Sequence, residues 1–192
     1  MRGRLKKINT VGIGLLIIFT IAGCATTGKV GTTQTYEEWL ATCKDYKDVA
    51  KWMKNDFLYD TPKLKDCLSR NKGNLCAVYS PEITFKKKSG VCSDAAVFAK
   101  WSLNRINPDY KAEIVHLYPG TFPDHYVTGF YVKGKLYILD YGVAIGRPQA
   151  GTWGPFENLD EYVSKVYLRW SKNRSLKWYQ FGWPSWRADS KW

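Results

Sequence analysis

This chain of 192 residues has only two histidines and two methionines, and its five cysteines contain no C-x-x-C pair. Without that spacing a structural zinc site is not expected, and no motif for an organic cofactor is present either. Acidic residues are scarce, 17 against 29 Lys and Arg, for a formal charge of +12. The longest predominantly apolar run, Val11–Ile21, is eleven residues, well short of the roughly 20 that a membrane-spanning helix needs. There is no internal repeat. No recognition helix or RNA-binding motif accompanies the positive charge, so nucleic acid is not the expected partner.

What is present begins with a leader. Arg2, Arg4, Lys6 and Lys7 precede the apolar run, which closes on Ala22-Gly23 before Cys24. A basic stretch, a short apolar stretch and small residues at a cleavage point are a secretory signal pattern. Ile21-Ala22-Gly23-Cys24 resembles the lipobox of bacterial lipoproteins, which implies that Cys24 is acylated and becomes the mature N-terminus. Each buried methylene contributes about 0.8 kcal/mol, so several acyl chains would hold the protein at a membrane. The expected location is the cell envelope. Ala25 after the cysteine points to the outer membrane, facing the periplasm, in a diderm cell.

Removing residues 1–23 leaves 169 residues with a charge of +8, enough for one domain with a sizeable core and favourable to acidic partners. Residues 24–34 are small and polar and read as a tether. The domain is expected over 35–192. Thr35 and Glu38 have capping-box spacing, and Trp39, Cys43, Tyr46, Ala50 and Met53 follow at helical intervals, which predicts one helix with Cys43 in its buried stripe. Thr61-Pro62 predicts a helix cap and first turn, with the helix running to about Leu68. Residues 76–89 read as irregular, and Lys86-Lys87-Lys88 as a solvated face. A helix starts at Cys92, carries Ala96, Ala99, Leu103 and Ile106 on the cysteine's face, and stops at Asn107-Pro108. Strands are expected at 112–118, 125–132 and 135–140, then a helix with Leu159, Val163, Val166 and Trp170 on one face. Helices followed by an antiparallel sheet and a closing helix make an α+β fold.

The cysteines separate by context. Cys67 and Cys76 flank the loop SRNKGN, and an oxidising compartment would allow them to pair. Cys92 stands where a helix starts, and unsatisfied N–H groups with the helix dipole favour a thiolate there. Ser89 offers a cap and Gly90 room for a substrate backbone.

His125 and Asp140 can be placed by hairpin geometry. If Lys133-Gly134 is a two-residue turn, paired numbers on the flanking strands sum to 267, which sets Asp140 opposite Val127 and on the same face as His125. Such diagonal neighbours lie about 7–8 Å apart, within reach of a carboxylate–imidazole contact. A one-residue slip would put them on opposite faces. Cys92 as nucleophile, His125 as base and acid, and Asp140 as the orienting carboxylate form a constellation for thiol-based acyl transfer. His116, inside EIVHLYPG, reads as a structural histidine.

The NDFLY stretch, the helix SGVCSDAAVFAKW and the hairpin HYVTGFYVKGKLYILDYG together resemble the transglutaminase-like superfamily from about Trp52 to Tyr141. The resemblance implies a papain-like core in which N-terminal helices, among them the nucleophile helix, pack on an antiparallel sheet. It also implies Cys92, His125 and Asp140 in the roles above, and an oxyanion donor upstream, for which Tyr59 and Tyr79 are available. The expected substrates are proteins, peptides or cell-wall peptides. A binding or assembly module that kept the fold without turnover is the alternative. Five of nine tryptophans lie in 170–192, a basic aromatic segment that could meet glycan or lipid headgroups. It is expected to pack across the domain, burying Trp178, Phe181 and Trp183.

Overall fold

The computed structural model describes residues 34–71, 76–120, 123–143, 150–170 and 176–183. The expected leader, Cys24 and the tether through residue 33 lie outside the described residues, as do 184–192. Thr35 caps α1 (Tyr36–Thr42): its Oγ1 accepts the Glu38 N–H at 3.2 Å, and the Glu38 carboxylate accepts the Thr35 N–H at 2.8 Å. The helix expected to continue to Met53 breaks at Cys43, because Asp45 makes a cap of its own. Its side chain accepts the Lys47 N–H at 2.7 Å and opens α2 (Tyr46–Asp56). Cys43 is therefore half-buried at a bend rather than buried within a helical stripe. Burial, with Asp48 nearby, still pushes its thiol up to about 11.

Strand β1 (Leu58–Tyr59) leads into α3 (Thr61–Asn71). Asp60 rather than Thr61 accepts at that helix start, from the Lys63 N–H at 2.9 Å. The segment expected to be irregular contains α4 (Pro81–Lys87), because Ser80-Pro81 is itself a cap followed by proline at the first helical position. Strand β2 (Ser89–Gly90) pairs in parallel with β1, and α5 (Cys92–Ile106) follows. A disulfide joins Cys67 to Cys76.

The second half is a five-stranded antiparallel sheet in the order β6-β5-β4-β3-β7, built from β3 (Glu113–Tyr118), β4 (His125–Val132), β5 (Lys135–Asp140), β6 (Gly151–Phe156) and β7 (Trp178–Phe181). Lys133 and Gly134 both have positive φ, 51° and 77°, as a two-residue hairpin turn requires. The β4–β5 pairs run from Val132↔Lys135 to Thr128↔Leu139, the register of the 267 sum.

Alternation along these strands separates two cores. Phe130 and Leu139 pack with Met53, Trp52, Phe98 and Leu103 of α2 and α5, whereas Val127, Leu136 and Ile138 pack with Leu159, Tyr162 and Val166. Burying side chains of this size contributes about 1.5–3 kcal/mol each. Thr128 Oγ1 donates to the Ala96 carbonyl at 2.9 Å and fastens α5 to β4. The closing helical segment is not one regular helix: α6 (Leu159–Tyr162) passes through a π-helical stretch (Val163–Tyr167) into α7 (Leu168–Trp170). At the sheet edge β7 leaves Trp178 and Phe181 36% and 38% exposed, so neither is buried as expected. Trp183 is half-buried against Tyr126. Among the described residues no helix is long and apolar enough to cross a membrane.

Candidate active site

Cys92 is the first residue of α5, 7% exposed. The first N–H groups of a helix have no carbonyl within it to bond, so the Cys92 amide is directed out of the helix start. The Cys92 sulfur lies 3.8 Å from the carbonyl oxygen of Asp124, the residue before β4. The start of α5 thus meets the sheet at the end where β4 begins and β5 finishes.

That end also carries His125 and Asp140. The His125 Nε2–H donates to Asp140 Oδ1 at 2.9 Å, and the second carboxylate oxygen accepts from the Tyr162 hydroxyl at 3.2 Å. A buried carboxylate needs such partners, because an unmatched charge would cost several kcal/mol. Committing Nε2 to Asp140 leaves the other ring nitrogen uncommitted to that carboxylate, and the Cys92 side chain is close enough to influence the imidazole. Burial alone would push the imidazole down. The Asp140 carboxylate and the Cys92 side chain outweigh it and raise His125 to about 10. The ring of Tyr167 lies nearly parallel to that of His125, with the centroids 6.1 Å apart.

Behind Cys92, the Asp94 carboxylate accepts the Val91 N–H and the Tyr79 N–H, each at 2.7 Å, and Lys63 Nζ reaches both its oxygens at 2.9 and 2.7 Å. Asp94 supplies the reciprocal cap that Ser89 was expected to provide. Gly90 serves this carboxylate rather than an approaching substrate, since a Cβ there would stand 2.6 Å from Asp94 Cβ. Tyr59, paired with Gly90 across β1–β2, packs against the cluster of Cys92, Ala96, Val97, Ile114 and Tyr126. Burial first, then the charges of Cys92 and Asp94, push its phenol well above the ordinary range, so it remains a hydroxyl donor. Tyr79 is engaged elsewhere: its N–H binds Asp94 and its ring covers the Lys63 ammonium at 3.2 Å from the centroid.

His116 is buried, as expected for a structural histidine. Its Nε2 lies 2.6 Å from Asp124 Oδ2 and its ring stacks on Tyr126 at 4.7 Å. The pair anchors the residue whose carbonyl faces Cys92. Sequence reasoning missed Asp94, Lys63, Tyr162 and Asp124. Of these only Asp94 had a local signal, a carboxylate three residues after the helix N-cap. Among the described residues no cluster of three or more His, Cys, Asp or Glu is placed to hold a metal ion.

A family model described as a transglutaminase-like domain matches residues 35–166, and the chain belongs to that family. A UPF0252 protein of Pyrococcus horikoshii is 38% identical over 77 residues, which is 38% of this chain and 22% of that relative. The chain thus matches about a fifth of the relative's length.

Proposed function

We propose that this protein is a thiol enzyme with a papain-like core that acts on amide bonds of proteins, peptides or cell-wall peptides, held at the cell envelope by lipid on Cys24. The observation that carries this reading is the hydrogen bond from His125 to Asp140 beside a cysteine that opens a helix. An imidazolium raised to about 10 is positively charged at neutral pH and gives a sulfur anion its counter-charge. In the reactive form the Cys92 proton resides on His125, giving a thiolate–imidazolium pair from which His125 acts as acid.

The sulfur attacks the amide carbonyl carbon and the oxygen takes the negative charge. The Cys92 N–H, at the start of α5, and the hydroxyl of Tyr59, which packs against the Cys92 cluster, are the donors this reading assigns to it. Collapse breaks the C–N bond, His125 delivers its proton to the leaving amine, and a thioester remains on Cys92. The neutral imidazole next takes a proton from water, or from a second amine. That nucleophile displaces the sulfur, and product leaves as acid or new amide. Asp140 holds the ring in orientation throughout, and Tyr162 holds Asp140.

Incubating the protein with peptide and cell-wall fragments, and searching by mass spectrometry for released ammonia, cleaved amide or a new amide bond, tests the reaction class. In parallel, an active-site thiol reagent should label the wild type and not a folded Cys92→Ala variant. Equal labelling of that variant, with none of the three products, would sink the proposal.

A further inference from the structure

We propose that Lys63 is a positioning residue for the Cys92 centre, and that the Cys67–Cys76 disulfide is the brace that keeps it in place. This rests on the reading of Cys92 as nucleophile. Asp94 lies two residues beyond Cys92 and is fully buried. Its carboxylate stabilises the helix start by accepting the Val91 N–H. It also sets a negative charge two residues along the helix from a sulfur that must itself become negative, and in surroundings less polarisable than water that repulsion carries further. Lys63 resolves the conflict. Its ammonium binds both oxygens of Asp94 and is roofed by the Tyr79 ring, with the side chain only 11% exposed. With Lys63 in place, Asp94 is a neutralised cap; without it, the same carboxylate opposes the thiolate.

The two limbs that grip Asp94 come from different segments. Lys63 lies in the first turn of α3, and Tyr79 lies in the strand of chain before α4. Cys67 follows Lys63 by one helical turn and so shares its face of α3. Cys76 precedes Tyr79 by three residues. The disulfide therefore ties the limbs together close to where each meets Asp94. A dithiol reductant would convert it to two cysteine thiols, the reductant giving up two electrons and two protons and becoming a disulfide. The limbs would then have to return to Asp94 independently, at a greater entropy cost.

The measurement is the rate of Cys92 alkylation by iodoacetamide at pH 7, followed by peptide mass spectrometry so that Cys43 is counted separately, with thermal unfolding as a control for folding. Lys63→Met is expected to slow Cys92 alkylation about tenfold or more. Adding Asp94→Asn to Lys63→Met should recover most of the lost rate, because it removes the unopposed charge. Lys63→Met should also move the alkylation midpoint to higher pH and Asp94→Asn move it back, whereas a purely structural loss would lower the rate without moving the midpoint. Cys67→Ser with Cys76→Ser should slow alkylation by less than Lys63→Met and add nothing to it in combination. If Lys63→Met does not fold, the double-serine variant carries the test by itself. Wild-type alkylation rates in folded Lys63→Met or in the double-serine variant would overturn the proposal, as would a Lys63→Met deficit that Asp94→Asn leaves unchanged. Failure of the nucleophile reading looks different: Cys92 of the wild type would then react no faster than a free cysteine, whatever stands at position 63.

Discussion

Gly142 is packed against Cys92 so closely that a Cβ on it would lie 2.5 Å from the Cys92 Cα and 3.0 Å from its Cβ. The chain leaving β5 therefore presents Asp140 to His125 and, two residues on, packs directly against Cys92. Gly142→Ala should push the start of α5 off this support. The expected cost is about 1–3 kcal/mol in urea unfolding, with a loss of Cys92 labelling rate larger than any surface variant produces. Unchanged labelling and stability would show that the contact has no mechanical role.

Asp140→Asn keeps the shape of the carboxylate but lets an amide face the imidazole, so the ring can settle in the wrong tautomer. Turnover should fall on the order of 10²–10⁴-fold, while circular dichroism stays native. A variant retaining more than a tenth of wild-type turnover would remove Asp140 from the mechanism.

His125 also links stability to pH. Its folded value, about 10, lies above the ordinary 6.5, so the folded state holds the proton more tightly than the unfolded chain does. The stabilisation from its ion pair is complete below about pH 6.5 and is lost as pH climbs through 10. The difference in unfolding free energy between wild type and His125→Gln should shrink steadily from pH 6 to pH 10. A difference that stays constant, or grows, would contradict the raised value.

Tyr59→Phe removes one hydroxyl from a residue packed against the Cys92 cluster and leaves the ring in its packing. If that hydroxyl receives the developing oxyanion, kcat should drop about 10²-fold with KM little changed, and alkylation of Cys92 should proceed as in wild type because no oxyanion forms there. A drop confined to KM would place Tyr59 in substrate binding instead.

For Cys24, the expectation is lipid attachment at the mature N-terminus. Expressed with its leader in a bacterial host, the wild type should fractionate with membranes and incorporate labelled fatty acid. Cys24→Ser should do neither. Fatty-acid label retained in the serine variant would put the anchor elsewhere.

Much of the site was legible in residues close together in the chain. The start of α5 at Cys92 follows from an apolar helical period, and the hairpin register follows from a two-residue turn whose parity puts His125 and Asp140 on one face. Both depend on backbone geometry over fewer than about 20 residues, where steric preference and side-chain period act without outside help. The break at Cys43 and the helix opened by Ser80-Pro81 were equally local and were missed because capping residues lay within apolar or polar patterns that suggested otherwise.

Other features depended on tertiary structure. Besides the Val91 N–H, the partners of Asp94 stand 15 and 31 residues away, and the hydroxyl on Asp140 comes from Tyr162, 22 residues on. Strands β6 and β7 joined the two edges of a sheet whose centre alone was evident. A buried carboxylate must find donors, but which donors it finds depends on where distant segments return, and no short window of sequence specifies that path. By itself the sequence determined which residues could do the chemistry and that two of them would face each other. Only the packed chain decided what holds them there, because burial turns each unmatched charge into a cost that distant side chains must remove.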